Sequence, residues 1–113
     1  MSRTYFKFKS TNREDEEQTI LKVLQKNKYK KKESNGEEIY QHGNGLVTSP
    51  QFIKYTFEND TIIIESWVKS FGFIGEENLD GSSQIFAKKN IKKILKEIQD
   101  NLGLDIIEQG NLE

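Results

Sequence analysis

Apolar and polar side chains alternate over residues 3–10, RTYFKFKS, so that Thr4, Phe6 and Phe8 share one side of an extended chain while Tyr5, Lys7 and Lys9 share the other. This predicts a first strand. The pattern then changes to a helical one. Thr11 with Glu14, or Asn12 with Asp15, offers a capping pair, and acidic residues crowd the positive end of the helix dipole. The helix runs to about Asn27, with Ile20, Leu21, Val23 and Leu24 on one contiguous arc.

Two hairpins follow. Lys28 to Glu33 and Glu37 to His42 flank Ser34-Asn35-Gly36, and Asn-Gly tolerates the positive φ angles of a tight turn, which sets Lys31 near Tyr40 and Tyr29 near His42. Beyond Gly43-Asn44-Gly45, Gln51 to Phe57 and Thr61 to Val68 close at Asn59-Asp60. That register pairs Phe57 with Ile62, Tyr55 with Ile64 and Ile53 with Ser66 on one face. Thr56 with Ile63, Lys54 with Glu65 and Phe52 with Trp67 fall on the other. A long glycine-punctuated loop leads to the clearest helix, Ala87 to Leu102, whose apolar arc holds Ala87, Ile91, Ile94, Leu95, Ile98 and Leu102 and which stops at Gly103. Leu104 to Ile107 is a short apolar tail that either adds an edge strand or covers the core.

These elements predict an α+β fold: an antiparallel sheet of about five strands with two helices on one face, in the order β-α-β-β-β-β-α, and the opposite face open. The arrangement resembles one repeat of the TATA-binding-protein fold, a likeness of topology that carries no function. At 113 residues there is room for one domain, taken as residues 1–111, with Leu112-Glu113 read as a cloning scar. The start, MSRTYFKFKS, lacks the apolar run of a signal peptide and no apolar stretch approaches a membrane span, so the expected location is the cytoplasm. Asn59-Asp60-Thr61 fits a glycosylation sequon but reads as a turn.

The absence of cysteine excludes disulfide scaffolds, thiol nucleophiles and cysteine zinc sites. A net charge of −1 excludes a whole-molecule field that draws nucleic acid, so any electrostatic partner must meet a local patch. His42 is the only histidine. A triad with Ser49 or Ser66 as nucleophile and Asp60 or Asp80 as orienting acid is formally available, but nothing in the spacing supports it. A zinc site would need His42 with three carboxylates, and Glu76, Glu77 and Asp80 lack the spacing of a calcium loop. No catalytic residue, metal or cofactor is expected, and the chain reads as a non-enzyme.

Three surface features remain as candidate binding sites. The open sheet face would carry Tyr5, Phe52, Ile63 and Trp67 among lysines, suited to a partner protein, a second copy or stacked bases. The plainest reading, ranked first, is that the tail or the long loop folds over them as a second small core; a protein interface ranks next and nucleic acid third. The last helix turns Lys88, Lys89, Lys92, Lys93 and Lys96 outward, a face that binds polyanions if it does more than confer solubility. Gly43, Gly45, Gly75, Glu76 and Gly81 frame loops of the kind that line pockets.

The stretch GNGLVTSPQFIKYTF, then IESWVK, GEENLDG and the helix beginning FAKKNIKK resemble a group of short bacterial proteins that repeat a Gly-x-Gly, Thr-x-Pro, Ile-Lys, Trp-[Val/Ile]-Lys, Gly-Glu, Leu-x-Gly series. The likeness spans roughly Tyr40 to Leu102. Some members of the group attach a zinc ribbon or a membrane anchor, and this chain has neither. The resemblance implies a shared fold and adaptor-like use, with no reaction to carry over. The expected function is therefore protein–protein interaction or self-association through the aromatic sheet face, with weak nucleic-acid or polyanion binding as the alternative and a His42-based small-molecule enzyme as a distant third.

Overall fold

The computed structural model describes residues 2–43, 49–69 and 75–113. Its elements are β1 (Arg3–Lys9), α1 (Arg13–Lys26), β2 (Lys30–Ser34), β3 (Glu37–His42), β4 (Gln51–Glu58), β5 (Thr61–Val68), α2 (Ile85–Leu102) and β6 (Ile106–Leu112). The six strands form one antiparallel sheet in the order β2-β3-β4-β5-β1-β6. The tail thus takes the edge-strand option. Leu112, set aside in the sequence reading, lies in that strand opposite Arg3.

Both hairpins have the expected registers, from Lys31 opposite Tyr40 to Phe52 opposite Trp67. Asn35 and Gly36 at the first turn have φ angles of 51° and 80°, and Asn59 at the second has 57°. These are left-handed values that asparagine and glycine reach at least cost. Asn12 caps α1 by accepting from the Asp15 N–H at 3.3 Å. The partner reaching back is Glu16, which accepts from the Thr11 N–H at 2.9 Å, the Asn12 N–H at 3.2 Å and the Ser10 hydroxyl at 2.5 Å. Burial works to raise the Glu16 pKa, but these donors outweigh it and hold the carboxyl below its usual range. α2 begins at Ile85, two residues before its expected start, and ends as predicted with Gly103 at φ 66° donating to the Gln99 carbonyl at 3.0 Å.

Both helices lie on one face. Ile20, Val23 and Leu24 of α1 and Ala87, Ile91, Ile94, Leu95 and Ile98 of α2 share a single core with Phe8, Tyr40, Ile53, Ile62, Ile64 and Val68. The buried Tyr29 hydroxyl donates to Gln51 at 2.8 Å, so its polar tip is satisfied inside the apolar layer. The outer edges differ. β2 is exposed throughout and carries Lys30, Lys31 and Lys32, a composition that discourages further strand pairing.

The expectation of a bare opposite face is corrected. Trp67 is 1% exposed and Phe52 5%, and with Ile39 they form a second, smaller core. Arg3, one position before the Thr4–Ser66 pair, lies over the indole with its guanidinium 3.7 Å from the ring centroid. Glu76 reaches over from the loop to meet it. A second small core forms, as in the plain alternative, but its cover is chiefly Arg3 of β1, with Glu76 from the loop beside it.

Candidate functional site

The aromatic strip divides. Phe52 and Trp67 stack with centroids 5.4 Å apart and planes 8° from parallel, and they are covered. The cover is an ion network in which all five guanidinium N–H groups of Arg3 donate. Nε and Nη2 bind the two oxygens of Glu76 at 2.7 and 2.8 Å; Nη1 and Nη2 bind Glu37 at 3.0 and 2.9 Å; Nη1 also reaches Glu65 at 3.0 Å. Lys54 adds a bond to Glu37 at 2.7 Å, and Lys69 stands over Phe52 at 5.2 Å. With Arg3 and Lys54 as donors, the Glu37 carboxyl is lowered to about 2. A polar cleft of about 240 Å³ lies beside this network. Tyr5 and Ile63 are only half-buried, and the Tyr5 hydroxyl donates to Glu108 at 2.7 Å. The four proposed anchors therefore present no continuous surface.

The lysine face loses one member. Lys88 is 2% exposed, and its ammonium donates to Glu77 at 2.8 Å and to the Asp80 carbonyl at 2.7 Å, so it fastens the loop to α2. Lys89, Lys92, Lys93 and Lys96 are exposed, and Lys96 pairs with Asp100 at 2.9 Å. Of the loop residues, Glu76 is taken up by Arg3, Gly43 and Gly81 hold φ angles of 88° and 82°, and Gly75 is exposed. Gly45 lies outside the described residues.

The catalytic constellation is not assembled. His42 lies against Tyr29 with centroids 5.3 Å apart and planes tilted by 32°, while Ser49 donates to Gln84, Ser66 to the Thr4 carbonyl, and Asp60 accepts from Lys9. Asp80 accepts from Asn111 at 2.7 Å. Among the described residues, no three histidine or acidic side chains are grouped to hold a metal ion, and no helix is long and apolar enough to cross a membrane.

A feature absent from the sequence reading is a groove of about 620 Å³ between α2 and the outer strands. α2 packs over β4 and β5, and the neighbouring strands β1 and β6 supply most of the floor. Phe6, Phe8, Ile64 and Ile106 face into it from the sheet, Leu95 from the helix and Leu79 from the loop. One end is closed by a satisfied polar chain. The Leu79 N–H donates to the Thr4 hydroxyl at 2.9 Å, that hydroxyl donates to Asn111 at 2.9 Å, and Asn111 donates to Asp80. The rim consists of Lys92, Lys96 and Gln99 along α2 and Gln109 on β6. The volume and apolar floor are those of a small-molecule or side-chain pocket. Among the described residues neither serine nor histidine lines it, and the Thr4 hydroxyl is already engaged.

Compared with protein-family models and with curated proteins, the chain matches none.

Proposed function

We propose that the chain is a non-enzymatic binding domain, as its sequence suggests, and that its binding surface is the groove between α2 and the β1–β6 edge rather than the Phe52–Trp67 strip. The observation that carries this reading is the apolar concavity of about 620 Å³ beside a helix that lines its rim with Lys92, Lys96 and Gln99. Phe52 and Trp67 are buried, whereas the half-buried Phe6 and Ile106 offer apolar surface that an incoming group can cover. The test is titration with Nile red, a neutral probe of apolar clefts. Wild type should enhance and blue-shift its emission. Gln109→Trp, which fills the groove from an exposed rim position, should weaken binding by about tenfold or more, equivalent to roughly 1.4 kcal/mol. Equal response from both proteins, or none from wild type, would reject the groove.

Polyanion binding along α2 is a second reading, favoured by the four exposed lysines and reduced by the loss of Lys88 to the interior. An affinity for single-stranded nucleic acid that falls steeply with salt would support it; one indifferent to salt would not.

A further inference from the structure

We infer that the groove is selective for a single-chain amphipathic carboxylate, with the chain on the apolar floor and the anionic head at Lys92. This inference rests on the groove reading above and adds the chemistry of its occupant. Its basis is the unequal charge on the rim. Asp80 accepts from the neutral Asn111 amide and keeps its negative charge at the closed end, the Lys96 ammonium is paired with Asp100, and Lys92 belongs to no ion pair among the described residues. The spare ammonium stands on the same line of α2 as Lys96 and Gln99, spaced by four and then three residues, directly above the groove. An apolar body with one negative end satisfies both surfaces. A cation meets Lys92 unfavourably, and a neutral chain leaves the ammonium to water. Charge complementarity therefore selects an anionic head, of which a carboxylate is the compact case, and the apolar floor takes a hydrocarbon body.

The experiment compares dodecanoate with dodecanol, both below their aggregation limits, by displacement of Nile red. Dodecanoate should bind wild type about fivefold more tightly than dodecanol, the scale of one partly exposed charge pair. Raising salt should shrink that ratio towards one. Lys92→Met should erase the preference while leaving dodecanol binding unchanged, and Lys92→Glu should reverse it. Lys89→Met, on the same helix but away from the groove lining, should keep the wild-type ratio. If dodecanol and dodecanoate bind wild type equally, or the preference survives Lys92→Met, the carboxylate assignment falls and the groove stands. If neither displaces the dye and the dye itself does not bind, the groove reading falls with it.

Discussion

On the helix side of the sheet, Ile53, Ile62 and Ile64 disappear beneath other aliphatic side chains and need no charge to cover them. On the opposite side, among the described residues, the buried apolar cluster is Ile39, Phe52 and Trp67, and its cover is a guanidinium, two lysines and three carboxylates. The first surface is closed by secondary structure, the second by long side chains that set cationic heads over the aromatic rings and pair Arg3 and Lys54 with carboxylates. An unpartnered aromatic strip on a sheet is therefore not a docking surface merely because no helix covers it. The second surface also depends on a geometry the first does not: the polar heads must satisfy one another, because a buried charge left alone is costly.

Three substitutions tell the two covers apart. The largest effect is expected for Trp67→Ala, which empties the space beneath Arg3 and costs roughly 3–5 kcal/mol, as much as truncating Ile64 on the helix side. A loss below about 1 kcal/mol in urea unfolding would put the roofed cluster with ordinary surface rather than core. Next, Arg3→Met takes the guanidinium from the indole and leaves Glu65 and Glu76 without their closest partner while Glu37 keeps Lys54, and should cost about 2–3 kcal/mol; Arg3→Lys should recover only part, lacking the fork that binds two carboxylates side-on. A cost equal to that of an exposed pair such as Lys9–Asp60 would remove the distinction between the two covers. The smallest effect is in acid. Glu37 is held at about 2, below its ordinary 4.5, so its contribution is complete above the ordinary value and is lost as pH falls from 4.5 towards 2. Thermal melts of Glu37→Gln should decline less over that window than wild type, and parallel declines would show that Glu37 is not the group being protonated.

Much of the helix side was legible in the sequence because each clue was local. Asn35-Gly36 and Asn59-Asp60 pin two turns, and a turn of known length fixes every cross-strand pair behind it. The apolar arc of α2 repeats often enough to name its buried face. The cover over Trp67 was not legible, because Arg3 meets carboxylates 34, 62 and 73 positions away and no spacing rule joins them. The one signal was that Arg3 shares the strand face of Tyr5 and is one of two arginines in a lysine-rich chain. β6 stayed ambiguous for another reason: Gln109-Gly110-Asn111 is poor in strand-forming residues, and its pairing rests on backbone hydrogen bonds with β1. The groove depends on how far α2 reaches across the sheet, which periodicity along a single helix cannot express.

The position of β1 between β5 and β6 has a consequence for how the molecule assembles. Although synthesised before either partner, this strand has no neighbour to bond until residues 61–68 emerge and none on its other side until 106–112 do. The β4–β5 hairpin, closed by a tight local turn, can form with little loss of chain freedom, whereas seating the amino-terminal segment requires closing a far longer loop. The guanidinium that locks down the aromatic pair therefore arrives late. Until it does, the indole of a half-made chain is open to water and to other unfinished copies, so crowding during synthesis is the stage at which this protein is most prone to aggregate.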